Sequence, residues 1–534
     1  MMMWRVGLTL VFVGAVPLQA ADDVATVMTS GGPVRGTTSA TGVRTYRGLS
    51  YAAPPVGALR WKAPQPAPPW DEVREATRFG PRCVQPRIWD DMIFRDEMGE
   101  DCLYLNVWTP AKTPSERLPV MVWIHGGGFR AGSASEPRQD GERLAGQGVV
   151  VVGINYRLGV FGFLAHPDLT AESGRNASGN YAFMDQIAAL RWVRDNVAGF
   201  GGDPGNVTIF GESAGSFAVS SLMASPPARG LFHRVIGESG APFSLGRPRE
   251  ATLAEAEKSG KTLAAALGAG SLAALRNVPT QQVLDASLAD ESLRLGPSVD
   301  GYVLPEPVAV VFAAGRQSAV PLLAGWNEDE IRAGVVLGAD KPTAETFKKQ
   351  LHERFGEDAA AMLKVYPAST DAEALESAAA LANDSFIGYG TWKWIESHSL
   401  EGDVPVYRYS FDRDVPVAPG TMRNGVVATA QDIGARHAGE IEYVFGAFDS
   451  LPDVPWEDVD REISDLMMAY WANFARAADP NAKGLPRWPR YDAEGHQVMH
   501  LGEKTLAESD ALRPRYLALD AVAAAAASQE IPEP

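Results

Sequence analysis

The sequence predicts an α/β fold: a large mixed, mostly parallel central sheet flanked by helices, with helical insertions over its carboxyl end. Three observations carry this. Short, nearly continuous apolar runs recur at Val120–Ile124, Val149–Ile154, Val207–Phe210 and Leu322–Ala324, the pattern of strands buried on both faces. Between two of them, Tyr181–Val197 sets Phe183, Ile187, Leu190, Val193 and Val197 at three- and four-residue spacing, the stripe of a helix packed on a sheet. The 534 residues are 46% hydrophobic and 21% charged, a globular composition. Strands that alternate with such helices assemble into a parallel sheet.

Along the chain, residues 1–20 read as an export signal. Arg5 supplies the positive start, Val6–Val16 is an apolar run, Pro17 breaks it, and Ala20 precedes a plausible cleavage point. A bilayer needs about 20 apolar residues, so this run is too short to span one, and no later stretch reads as a membrane helix. The mature chain is expected in the periplasm or outside the cell. Residues 34–51 hold short β-rich pieces, and 54–69 form a proline-rich extended segment. The segments 250–289 and 343–383 are helical in pattern and lack a strand core, so they read as insertions over the carboxyl ends of the strands, where α/β sheets bind ligands. Residues 21–520 form one domain, with no repeat or linker dividing them, and the Ala-rich residues 521–534 form a flexible tail.

The formal net charge is -18. Such a surface repels a phosphate backbone, so nucleic acid is not an expected partner. The chain has two cysteines, Cys83 and Cys102. In an oxidising compartment they are expected to pair. Two cysteines without a histidine pair beside them lack a metal ligand set, so no metal is expected.

The chemistry starts at Gly211-Glu212-Ser213-Ala214-Gly215. The motif follows an apolar strand and opens a helical stretch, the strand–turn–helix context of the nucleophile elbow in the α/β-hydrolase fold. Glycines at both flanks allow a turn too tight for side chains. Ser213 is thereby raised above the sheet at a helix N-terminus, where developing negative charge is favoured. At the end of the Val120 strand stands His125-Gly126-Gly127-Gly128-Phe129. A glycine run there turns backbone N–H groups toward a ligand, and the oxyanion-hole donors are expected from Gly127, Gly128 and Ala214.

A serine hydroxyl needs a base. The fold's chain order of serine, acid, histidine leaves His352, His398, His437, His496 and His500. His437 stands among small residues, in Gly434-Ala435-Arg436-His437-Ala438-Gly439-Glu440. For the acid, the Leu322 strand ends in Asn327-Glu328-Asp329-Glu330, and sequence physics alone does not choose among its three carboxylates.

The chain resembles the type-B carboxylesterases, the family of para-nitrobenzyl esterases, animal carboxylesterases and cholinesterases. The resemblance runs from about Val34 to Tyr491. It rests on Tyr46-Arg47-Gly48 through Arg60-Trp61, on Glu100-Asp101-Cys102-Leu103-Tyr104-Leu105-Asn106-Val107, on Asn155-Tyr156-Arg157, on Asn180-Tyr181 through Asp185-Gln186, on Gly202-Asp203-Pro204 and on Trp488-Pro489. It implies Ser213 as nucleophile, Glu330 as the acid closing a G-x-x-x-x-E pattern, and His437 as the base in a G-x-x-H-x-x-E pattern. It also implies Gly127, Gly128 and Ala214 as the oxyanion hole and Cys83–Cys102 as the family's first disulfide. Ser239 matches a serine close to the triad, and Glu212, directly before the nucleophile, is placed there with it. No cofactor is implied.

The implied function is hydrolysis of small carboxylic esters through an acyl-enzyme. Specialised action on aromatic, polyester or toxin esters, and a non-catalytic cholinesterase-like binding role, are the alternatives. One departure argues against choline: cholinesterases hold an indole where this chain has Met92, and Trp89 is displaced from that place.

Overall fold

The computed structural model describes residues 26–529, except 90, 91, 93, 95, 96, 246–248, 401–403, 424, 425 and 493. The segment read as an export signal lies outside these residues.

Eleven strands form the main sheet: Thr37–Thr38 (β1), Arg44–Ser50 (β2), Tyr104–Thr109 (β3), Leu118–Ile124 (β4), Val150–Ile154 (β5), Gly202–Glu212 (β6), Arg234–Glu238 (β7), Leu322–Asn327 (β8), Val406–Phe411 (β9), Gln497–Leu501 (β10) and Leu506–Ser509 (β11). Their spatial order is β11-β10-β9-β8-β7-β6-β4-β5-β3-β2-β1. The strands from β10 to β5 run parallel, and antiparallel pairs close both edges. The mixed, mostly parallel sheet is the expected one.

The apolar runs are continuous because each strand feeds two cores. Val120, Val122 and Ile124 of β4 pack on one face, while Met121 and Trp123 pack on the other. In β5, Val150, Val152 and Ile154 join the first face and Val151 the second. This is the two-residue period of a strand with helices on both sides. Tyr181–Asn196 (α1), Ala214–Ala224 (α2) and Tyr389–Ser399 (α5, following α3 and α4 below) cover the first face, and Asp458–Ala477 (α6) covers the second.

The segment 250–289 is helical as expected. It opens with Leu253–Ala266 (α3), and its Leu263, Leu275 and Val283 build a satellite core with Trp61 and Phe161. The second helical segment ends in Asp371–Asn383 (α4), and a π-helical turn, Asp384–Gly388, joins it to α5. The last helix, Arg513–Gln529 (α7), runs into the stretch read as a tail. Alanine is the strongest helix former, so the low-complexity run extends the helix that precedes it.

Candidate active site

The strand ends set the stage. The residues that follow β6 and β7 each donate an N–H to the next strand over: Ser213 to the Glu238 carbonyl at 2.8 Å, and Ser239 to the Gly325 carbonyl at 2.9 Å. Ser213 follows β6 and precedes α2 with φ 52° and ψ -120°. For a residue with a Cβ this costs roughly 1–3 kcal/mol, which the surrounding structure must offset. The flanking glycines are required sterically. A Cβ on Gly211 would lie 2.5 Å from the Ile124 carbonyl oxygen, and one on Gly215 1.9 Å from the same atom.

The structure brings Ser213, His437 and Glu330 together. Ser213 Oγ lies 3.0 Å from His437 Nε2. His437 Nδ1 is hydrogen-bonded to Glu330 Oε2, and Glu330 Oε1 accepts the Asn327 N–H at 2.9 Å. A hydroxyl facing an imidazole whose far nitrogen meets a carboxylate can pass its proton to the ring as it attacks.

The turn carrying Glu330 is held from two sides. Asn383 Oδ1 accepts the Glu330 N–H at 2.7 Å, and Asn383 Nδ2 donates to the Glu328 carbonyl at 3.0 Å. A β-bridge between Asp329 and Arg436 ties this turn to the histidine loop, with the Asp329 N–H donating to the Ala435 carbonyl at 3.0 Å. Asp329 also turns its carboxylate to the Ala435 N–H at 3.2 Å. Glu328 sits away from the imidazole beside Asp412 and His500, and burial, with Asp412 and Asp329, pushes its carboxyl up to about 7. The other four histidines stand elsewhere. His352 is exposed on a helix, and His398 Nε2 is bonded to the Val320 carbonyl at 2.8 Å. His496 meets Tyr491, and His500 pairs with Asp412.

Buried carboxylates crowd the imidazole. Glu212 Oε1 is 3.3 Å from His437 Nε2. Ser239 Oγ donates to Glu440 Oε1 at 3.3 Å, and Asn327 Nδ2 to Glu440 Oε2 at 2.6 Å. Burial pushes Glu212 up to about 8, with Glu440 and Glu330 adding to it and His437 opposing. Glu440 is raised to about 7 by burial and Glu330. Burial pulls His437 down, but Glu212, Glu330 and Glu440 together outweigh it and bring the ring to about 9. The charges of Glu212, Glu440 and His437 therefore bear on one another's protonation.

The glycine loop lies against the serine. A Cβ on Gly126 would meet Glu212 Oε2 at 2.6 Å and the Ser213 Cβ at 3.2 Å. Gly127 and Gly128 have φ of 99° and 61°, which glycine alone adopts freely. The N–H groups of Gly127, Gly128 and Ala214 donate to no backbone carbonyl among the described residues. His125 anchors the loop from below. Its ring stacks on Tyr156 with centroids 4.4 Å apart, its Nδ1–H donates to the Gly126 carbonyl at 2.9 Å, and burial lowers it to about 4, keeping it neutral.

Above these groups opens a cavity of about 460 Å³. Ser213, Phe217 and Ser221, one turn apart along α2, form one wall. Phe386 and Ile387 of the π-helical turn form another. The Phe386 ring meets His437 edge-on at 5.2 Å. Cys83 and Cys102 form a disulfide, and the segment it closes brings both Trp89 and Met92 to the cavity. Counting positions from Cys102 sets Trp89 aside, yet the chain path places it against Gly128. Sequence reasoning does not single out Asn327, Asn383, Phe386 or Arg249. Asn383 closes a helical segment read only as an insertion, and Asn327 differs from its acidic neighbours by lacking charge.

The sequence model described as the Carboxylesterase family matches residues 23–518. The chain is 36% identical over 503 residues to a fumonisin B1 esterase of Sphingopyxis macrogoltabida, covering 92% of this chain and 89% of that protein. It is 36% identical over 499 residues to a para-nitrobenzyl esterase of Bacillus subtilis, covering 91% of this chain and 96% of the other. A solved para-nitrobenzyl esterase structure superposes with a TM-score of 0.77 at 34% identity, covering 93% of this chain and 99% of that one.

Proposed function

The chain belongs to the carboxylesterase family, with its α/β-hydrolase fold, and from that premise we propose that Ser213 is the nucleophile of a two-step ester hydrolysis. The enzyme is a carboxylesterase; the assignment of residues to steps is our reading. His437 takes the Ser213 proton as Oγ attacks the ester carbonyl, and Glu330 holds the imidazole in the required tautomer and steadies its charge. Gly127, Gly128 and Ala214 donate their N–H groups to the oxyanion. The tetrahedral intermediate collapses, the alcohol leaves with the proton from His437, and an acyl-enzyme remains. Water, deprotonated by the same histidine, then releases the acid and restores Ser213. Glu212 and Ser239 support the imidazole and the acids around it.

The observation that carries this reading is the unbroken chain from Ser213 Oγ through the imidazole to Glu330. A fluorophosphonate probe tests it: one adduct per chain on Ser213, with loss of p-nitrophenyl ester hydrolysis, is the expected result. Labelling elsewhere, or full activity in Ser213→Ala, overturns it.

We further propose that the enzyme is exported and acts in the periplasm or outside the cell. The charged and apolar start at residues 1–20 and the Cys83–Cys102 disulfide support this. N-terminal sequencing of the protein recovered from its producing cells is expected to begin after Ala20.

A further inference from the structure

Among the described residues, two guanidinium groups line the cavity, and they differ in kind. Arg138 is buried. Its Nη2 donates to Glu442 Oε2 at 2.9 Å and to the Ala438 carbonyl, so its charge is neutralised within the protein. Arg249 is exposed to the cavity. Its guanidinium carbon lies 4.9 Å from the centroid of the Phe217 ring, and Nη2 donates to the Phe386 carbonyl at 3.2 Å. It has no salt-bridge partner among the described residues.

Stacking on an aromatic ring uses the face of a guanidinium and leaves its edge N–H groups free to meet a planar anion in two-pronged fashion. Neither nearby carboxylate forms an ion pair with this charge among the described residues. Glu212 Oε1 lies 3.3 Å from His437 Nε2, so its carboxylate is engaged with that imidazole. Glu250 is buried beside Arg249 and attracts it electrostatically, but its Oε1 is taken by the Val308 N–H at 3.0 Å. Among the described residues, the cavity thus presents in Arg249 a cation without an ion pair on a largely apolar wall.

Its position relates it to the chemistry. Phe217 follows Ser213 by one helical turn, about 6 Å along the axis. The guanidinium over that ring and the Ser213 hydroxyl line the same cavity.

The geometry points to Arg249 as a subsite for a carboxylate borne by the ester substrate several bonds from the scissile carbonyl, so that the substrate class includes half-esters of dicarboxylic acids. This deepens the proposed function and rests on Ser213 as nucleophile. The protein's overall negative charge repels anions at long range, which makes a local cation the determinant of whether such a substrate docks.

The test compares mono-p-nitrophenyl glutarate with the uncharged p-nitrophenyl butyrate and reads the ratio of their kcat/KM values. In Arg249→Gln this ratio is expected to fall about ten-fold or more, because a group placed to bond a substrate anion discriminates strongly when removed. The change should lie mainly in KM, and Arg249→Lys should recover part of it. Raising the salt concentration on the unaltered enzyme should also lower the ratio, and this measurement decides the matter if the glutamine variant melts early. A ratio that stays constant across the variants and with salt overturns the assignment. If the butyrate ester is not hydrolysed in a Ser213-dependent way, the nucleophile reading fails instead, so the two failures are distinguishable.

Discussion

Glu330 holds the imidazole of His437 through one carboxylate oxygen and is itself fixed through the other, which takes the Asn327 N–H at 2.9 Å. The carboxylate therefore cannot swing without breaking a backbone bond at the end of β8. Glu330→Gln keeps the shape but offers the wrong hydrogen-bond pattern to Nδ1, so kcat is expected to drop by roughly 10⁴-fold with little change in melting temperature. Steady-state kinetics on a p-nitrophenyl ester, beside a thermal melt, checks both halves.

Asn383 acts on the same turn from outside, bonding the Glu330 N–H and the Glu328 carbonyl. Asn383→Ala leaves both groups unsatisfied in a buried place, a cost of about 1–3 kcal/mol. The acid then loses its position, and a displacement of that kind lowers kcat by about 10²-fold. If the variant melts early while kcat holds, Asn383 serves the fold alone.

Gly127→Ala forces a Cβ to 2.2 Å from the Ala131 carbonyl oxygen at a φ of 99°. The loop must shift, and its N–H groups lose their aim. Loss of one donor to the oxyanion lowers kcat by roughly 10²- to 10³-fold, while fluorophosphonate labelling of Ser213 slows in parallel. Unchanged kcat would falsify the role of this loop.

The acidic side of the pH profile reports the shared protons. Glu212 is one of the carboxylates whose charge raises His437 to about 9. Removing its charge in Glu212→Gln lowers the pKa of the ring. Since the base must be neutral to work, the acidic limb of kcat/KM moves toward lower pH in the variant. A limb that stays in place, or moves upward, contradicts this electrostatic account.

The disulfide joins cysteines 19 positions apart and closes the segment that delivers Trp89 and Met92 to the cavity. Replacing both cysteines by serine is expected to lower stability by about 3 kcal/mol in denaturant unfolding. KM should rise more than kcat falls, since the residues involved line the cavity and touch no reacting atom.

The elbow, the glycine loop and four core strands are legible because tight turns and fully buried strands constrain residue types locally. The acid is not. Glu328, Asp329 and Glu330 are consecutive carboxylates, and only the bridge from Asp329 to Arg436 and the Asn383 clasp decide which one faces the imidazole. Strand β9 escapes pattern reading because Arg408 and Ser410 interrupt it. Arg408 is nonetheless buried, bonded to Asp510 and stacked 4.3 Å from the Trp326 ring centroid. The cavity walls are illegible for another reason. Arg249 and the Phe386 carbonyl it bonds are 137 positions apart, a meeting that no local pattern encodes.

The bridge that zips the Asp329 and Arg436 loops together has a mechanical meaning. Glu330 and His437 thus sit on two loops joined to each other, while Trp89 and Met92 of the cavity come from the separate segment that the disulfide closes. Exchanging side chains of that disulfide-closed segment can therefore change which esters fit while leaving intact the bridge that sets the imidazole against its carboxylate.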